Sequence, residues 1–105
     1  MRTLNIAMLG FGNAGQAFAK LLMEKQREIM TREGFDVRIT AIATGSRGSL
    51  VNNDGIDLEK ACSDIKMQGK LDNTDPAYSQ LSSFEIVDQA DYDVLMELTP
   101  LAIFS

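Results

Sequence analysis

Gly10-Phe11-Gly12-Asn13-Ala14-Gly15 has the spacing G-x-G-x-x-G, and its surroundings give that spacing its meaning. Leu4-Asn5-Ile6-Ala7-Met8-Leu9 precedes it, a short apolar run that reads as a buried strand over residues 3–9. A helical pattern follows over residues 13–31. A strand, a glycine turn and a helix opening in this order form a dinucleotide-binding fingerprint. Gly10 permits the tight turn, Gly12 lets backbone approach a pyrophosphate, and Gly15 lets helix and strand pack closely. The free N–H groups of the first helical turn face the phosphates, and the helix dipole favours their charge. Asn13 and Ala14, with small side chains, keep those amides reachable.

Outward from the turn, Ala14, Ala17, Phe18, Leu21, Leu22, Lys25, Glu28 and Ile29 fall at helical spacing, and their apolar members predict one buried stripe. Lys20, Glu24, Gln26 and Arg27 are expected on the solvated side. Gly34 ends or follows this helix. Residues 35–43, rich in β-branched side chains, read as the second strand. Thr44-Gly45-Ser46-Arg47-Gly48 is loop chemistry, and Asn52-Asn53-Asp54-Gly55 is a turn. Asp57 caps a short helix that runs through about Cys62. Residues 63–74 are polar and weakly patterned. Asp75-Pro76 suggests a helix cap with proline at the first helical position. Ser82 and Glu85 form a capping box. Val94-Leu95-Met96-Glu97-Leu98 is the third strand, and Thr99-Pro100 opens one more helix.

This layout predicts an α/β fold: a Rossmann-like parallel sheet with flanking helices, incomplete at about three strands, in one domain over residues 1–105. Right-handed crossovers place the first strand centrally. The apolar end, Leu101-Ala102-Ile103-Phe104-Ser105, carries no stop signal. The expectation is a fragment of a longer enzyme, or a chain that covers an open sheet edge by self-association.

Composition narrows the partners. A net charge of −5 with no basic cluster argues against nucleic acid and against an anionic membrane surface. It does not exclude an anionic cofactor, because backbone amides bind phosphate whatever the net charge. A hydrophobic share of 45% fits a globular protein, and no stretch approaches the roughly 20 apolar residues of a membrane span. The expectation is a soluble, cytoplasmic chain. With one cysteine and no histidine, neither an internal disulfide nor a Cys/His zinc site can form. Cys62 reads as an inert thiol.

The end of the second strand bears on the cofactor. An NAD site usually presents an acid there, and an NADP site a cation for the 2′-phosphate. This chain presents Thr44, Gly45, Ser46 and Arg47. Arg47 can grip a phosphate with two N–H groups and lie flat on adenine, and Ser46 adds a hydroxyl donor. The bland alternative is a solvated loop arginine. Lys60 could reach the same phosphate, though an exposed helix lysine is the simpler reading. Glu97 is unusual in a strand expected to be buried. It either faces the ligand crevice at the carboxyl end of the sheet or pairs structurally. Asp91 and Asp93 read as solvated turn residues.

These residues resemble homoserine dehydrogenase, in its N-terminal nucleotide-binding part. The likeness lies in residues 6–15 and the helix after them, in Ile42-Ala43-Thr44-Gly45-Ser46-Arg47-Gly48-Ser49-Leu50, in Asn53-Asp54-Gly55-Ile56-Asp57-Leu58, and in Asp93-Val94-Leu95-Met96-Glu97-Leu98-Thr99-Pro100. Residues 61–82 match poorly. The resemblance implies reversible reduction of aspartate 4-semialdehyde to homoserine with NADPH or NADH, in threonine and methionine biosynthesis, with Arg47 favouring NADP. It implies that Gly10, Gly12, Asn13, Ala14 and Gly15 contact the pyrophosphate. It places Ser46 and Arg47 at the adenine ribose, and Thr99 and Pro100 on the nicotinamide side. The catalytic residues and substrate domain of that family lie outside this chain, so none of its residues is a catalytic candidate. Binding of cofactor without turnover is the expectation, with a small-molecule substrate only in a full-length enzyme. Two other classes compete: a non-catalytic NAD(P)H-sensing module, and a structural α/β domain whose glycines serve packing alone.

Overall fold

The structure, a computed structural model, describes residues 2–44 and 48–98, with Ser83 and Phe84 described by their backbone. The chain forms β1 (Arg2–Leu9), α1 (Asn13–Glu33), β2 (Phe35–Ala43), β3 (Ser49–Val51), α2 (Leu58–Gln68), β4 (Tyr78–Ser79), α3 (Ser83–Gln89) and β5 (Val94–Glu97). The strands lie in the order β4-β3-β2-β1-β5. β1 pairs in parallel with β2 on one side and β5 on the other, so the first strand is central to the parallel part, as expected. The expected three parallel strands are present. Two short strands, β3 and β4, add an antiparallel arm beyond β2, making the sheet mixed and five-stranded.

Each face of the sheet is covered by different means. On one face Phe11 of the turn before α1, Ala19 and Leu22 of α1, and Leu58, Ala61, Cys62 and Ile65 of α2 pack against Ile6, Met8, Val37, Ile39, Ile42 and Leu50. On the other, Ala7, Ala41 and Ala43 leave a shallow surface on which Ile86 of α3 is fully buried. Small strand residues let that short helix lie close to the sheet. The pairing of β1 with β2 slips by one residue between Ile6 and Ala7, leaving Thr40 as the extra residue of a bulge. The buried Thr40 hydroxyl donates to the Asp91 carbonyl at 3.0 Å, and its own carbonyl accepts from Asn52 N at 2.8 Å. The bulge thus ties β2 both to the turn after β3 and to the lead-in of β5.

Several expectations are corrected here. α1 runs two residues further, and its buried line is Gly15, Ala19 and Leu22, flanked by half-buried Phe18 and Ile29. Ala14, Ala17 and Leu21 are exposed, because the helix is rotated so that Gly15 rather than Ala14 meets the strand. Gln26 is not solvated. Its amide donates to the Val37 carbonyl at 2.8 Å and fastens α1 along β2. α2 continues to Gln68 because Leu58, Ala61, Cys62 and Ile65 repeat on one face. Asp75-Pro76 opens no helix. Asp75 Oδ1 accepts from Ala77 N at 2.8 Å and its carbonyl accepts from Tyr78 N at 2.9 Å, a turn that feeds β4. Asp93 is exposed, yet its carboxylate accepts from Asn5 N at 2.9 Å and moors β5 to β1. The capping box stands: Glu85 N donates to Ser82 Oγ at 3.2 Å, and Ser82 N to Glu85 Oε1 at 3.0 Å.

Candidate nucleotide-binding site

The carboxyl ends of the three parallel strands are level. Leu9 pairs with Ala43 on one side and with Glu97 on the other. Gly10 N donates to the Ala43 carbonyl at 2.7 Å, and Leu98 N donates to the Leu9 carbonyl at 2.7 Å. The chain therefore turns at the point where β1 separates from both neighbours, the position at which open α/β sheets hold ligands.

The turn is built almost wholly of backbone. Gly10 sits at φ 103°, a conformation side-chain-bearing residues rarely adopt. Phe11 inserts its ring into the core, and its carbonyl accepts from Gln16 Nε2 at 3.2 Å, so α1 reaches back to fasten its own entrance. A Cβ on Gly15 would lie 2.9 Å from the Gly10 carbonyl oxygen and 3.3 Å from Met8 Cε. Gly15 is therefore required by helix-to-strand packing. Gly12 differs. A Cβ there would meet nothing within 4 Å among the described residues, and its φ of −81° is open to any residue. Gly12, Asn13 and Ala14 are all exposed. No side chain caps the helix and no acid occupies its first turn. The result is an exposed helix start with no carboxylate of its own to compete for an anion.

On the β2 side, Thr44 and Gly48 form a neck. Thr44 N donates to the Gly48 carbonyl at 3.2 Å, and Thr44 Oγ1 donates to the same oxygen at 2.6 Å. The site residues Ser46 and Arg47 expected beyond this neck lie outside the described residues, as do Thr99 and Pro100 and the helix expected from them. Glu97 is exposed, not buried, because β5 borders the sheet with only its β1 side paired among the described residues. The structure brings together Gly10, Gly12, Asn13, Ala14 and Gly15.

Lys60 does not stand free for a phosphate. Its ammonium contacts Asp64 at 2.9 Å, Asp72 at 3.0 Å and Asp75 at 3.3 Å. Those carboxylates, Asp64 foremost, hold it well above the ordinary lysine value. Asp72 in turn is drawn down from 3.8 to about 2, first by the Thr74 hydroxyl, then by the Thr74 N–H and by Lys60. Burial pushes the Cys62 thiol up, partly opposed by Lys20, which fits an unreactive thiol. Among the described residues, no group of three or more His, Cys, Asp or Glu could hold a metal ion. No described helix is long and apolar enough to cross a membrane.

No sequence signal points to Tyr78. Its ring lies so close to Gly48 that a Cβ there would fall 2.7 Å from Tyr78 Cε1. Only the β3–β4 pairing, between residues nearly thirty apart, brings the two together, and no local spacing announces it.

The fold and the turn define a Rossmann-like α/β unit opened by a strand, a glycine turn and a helix. Its likeness is to homoserine dehydrogenases, over most of the chain, as the sequence motifs suggested. It is 32% identical over 97 residues, or 92% of its length, to homoserine dehydrogenase of Methanocaldococcus jannaschii. It is 32% identical over 57 residues, 54% of its length and 16% of the relative, to an NAD(+)-dependent homoserine dehydrogenase of Pseudomonas canavaninivorans. Among solved structures, a hyperthermophilic archaeal homoserine dehydrogenase in complex with NADPH matches with a TM-score of 0.75 and 25% identity, over 92% of this chain and 28% of that one. This chain spans about 28% of the length of the M. jannaschii relative. No protein-family model matches it.

Proposed function

We propose that the chain is the nicotinamide-dinucleotide-binding unit of a homoserine dehydrogenase-type oxidoreductase. In that reaction NAD(P)H reduces aspartate 4-semialdehyde to homoserine, a cytoplasmic step toward threonine and methionine. The bound dinucleotide supplies the hydride, and this chain binds and orients it. The observation that carries the reading is Gly12. Packing accounts for Gly15 and turn geometry for Gly10, but nothing among the described residues requires a glycine at position 12. A pyrophosphate laid against the backbone does require one. The likeness to an NADPH-bound homoserine dehydrogenase supports the same ligand.

In this reading the amides of Gly12, Asn13, Ala14 and Gly15 hold the pyrophosphate, with Gly10 shaping the turn. Ser46 and Arg47 take the adenine ribose and its 2′-phosphate, which favours NADP over NAD. Thr99 and Pro100 line the nicotinamide side. The chain binds dinucleotide and does not by itself oxidise homoserine, and the β5 edge, unpaired on its outer side among the described residues, favours self-association. The test is titration of the purified chain with NADPH and with NADH, followed by nicotinamide fluorescence. Tighter NADPH binding that is lost in Arg47→Ala is expected. Equal binding of both would remove the Arg47 assignment, and binding of neither by a folded chain would overturn the reading.

A further inference from the structure

The β3–β4 arm lies outside the three parallel strands, and neither the glycine turn nor the crevice explains it. Its contacts run in one direction. β4 pairs with β3 through Leu50–Tyr78 and Ser49–Ser79, and Val51 N donates to the Ala77 carbonyl at 2.8 Å. Ser49 Oγ donates to the Leu81 carbonyl at 3.3 Å, holding the far end of the arm. The turn before β4 is clamped to α2 through Asp75 and Lys60. Thus anchored on three sides, the half-buried Tyr78 ring presses on Gly48. Gly48 sits at φ 96°, where a side chain would be strained, and its carbonyl takes both hydrogen bonds from Thr44. Thr44 directly follows Ala43, whose carbonyl accepts from Gly10 N. The path from Tyr78 to the glycine turn is therefore continuous: ring to Gly48, carbonyl to Thr44, strand end to Gly10.

We infer that Tyr78 is a positioning residue, holding the hydrogen-bonded pair of Thr44 and Gly48 at the end of β2 in the geometry that receives the adenosine end of the dinucleotide. This rests on the functional reading above. The tyrosine touches no ligand in this role. It fixes Gly48, and Gly48 fixes the Thr44 end of β2 beside the pyrophosphate turn. A large rigid ring with few rotamers suits such bracing, because it transmits position at small entropic cost. The ring supplies the packing, so phenylalanine should replace tyrosine with little loss.

The experiment compares the wild-type chain with Tyr78→Phe and Tyr78→Ala in two measurements. The first is amide hydrogen exchange at Thr44 in the ligand-free chain, with the buried strand amide of Ile42 as the internal reference for folding. The second is binding of NADH and of ADP-ribose, which lacks the nicotinamide. In Tyr78→Ala, Thr44 exchange should rise about tenfold while Ile42 stays protected. NADH and ADP-ribose should weaken by the same factor, about tenfold, as expected for a site loosened at its adenosine end. Tyr78→Phe should follow the wild type in both. Wild-type binding or unchanged Thr44 exchange in a folded Tyr78→Ala chain would overturn the inference alone. Failure of the wild-type chain to bind either probe would instead remove the functional reading, and the positioning role with it.

Discussion

The glycine turn and the β3–β4 arm flank the carboxyl end of β2 and are held by opposite means. The turn is made of backbone. Its shape depends on a positive φ at Gly10, on the missing Cβ of Gly15, and on carbonyls and amides that belong to no particular side chain. The arm pairs through its backbone but is fastened by side-chain contacts: the Tyr78 ring on Gly48, the Asp75 turn, and a lysine among three carboxylates. The turn leaves its outer surface open and faces solvent at Gly12, Asn13 and Ala14. The arm turns its contacts inward. On the proposed reading the difference is functional: a surface that admits a pyrophosphate cannot be filled by the protein's own side chains, whereas a brace has to be.

That contrast is broken most sharply inside the turn itself. Gly15→Val forces a branched side chain to within 2.9 Å of a backbone oxygen that cannot move without opening the turn. A loss of about 3 kcal/mol is expected, or roughly 10–20 °C in the melting temperature of a domain this size. Gly12→Asp, three residues earlier, should do the reverse. The carboxylate enters open space at the helix cap, where aspartate is among the preferred residues, so the melting temperature should hold or rise slightly. Dinucleotide binding should nevertheless disappear, because the carboxylate occupies and repels the proposed pyrophosphate position. Thermal melts and the NADH titration on both variants check the pair. Equal collapse of the Gly12→Asp chain would show that both glycines serve packing.

A smaller effect is expected in the arm from Gly48→Ala. The new methyl meets the Tyr78 ring at 2.7 Å and sits on a backbone at φ 96°. Both costs are local, and together they should amount to about 1–3 kcal/mol in urea unfolding. Combining it with Tyr78→Ala should recover part of the loss by giving the methyl room. A double-mutant cycle measures that recovery, and strict additivity would mean that ring and glycine are not coupled.

The same contrast explains what could be read from sequence. The turn, β1, β2 and β5 are legible because each depends on neighbours in the chain: apolar runs, β-branched residues, and glycines at fixed offsets. The capping box at Ser82 and Glu85 is legible for the same reason. β3 and β4 are not, because three and two residues form strands only through partners that a sequence window does not contain. Asp75-Pro76 illustrates the ambiguity. An aspartate before proline suits a helix start and a turn equally, and here pairing of the next residues with β3 selects the turn. The rotation of α1 turned on a steric detail. Ala14 and Gly15 are both small, but only the glycine tolerates contact with the Gly10 carbonyl, and that shifts the buried line away from Leu21. Of the candidate site, the glycine turn was legible: Gly10 at a positive φ and Gly15 packed against the turn. The Tyr78 brace was not, and Lys60, a plausible phosphate ligand by position, is engaged by acids up to fifteen residues further along the chain.

The smallest expected effect belongs to the arm's charged end, and it depends on pH. Asp72 titrates at about 2 in the folded chain against an ordinary value of 3.8, chiefly through the Thr74 hydroxyl and N–H, with Lys60 assisting. Its carboxyl is thus harder to protonate folded than unfolded, and the unfolded chain binds the proton first. The stabilisation is therefore fully present above the unfolded value and is lost as pH falls from near 4 toward 2. Asp72 is partly exposed, so the effect should be modest. It should persist in salt more than an ion pair would, because its largest causes are hydrogen bonds from Thr74 rather than the lysine charge. Urea midpoints measured at intervals from pH 5 to pH 2 should fall less steeply in Asp72→Asn than in the wild type, and the difference should survive added salt. If salt abolished it, Lys60 rather than Thr74 would be the dominant partner, and the arm would be held by charge rather than by its turn.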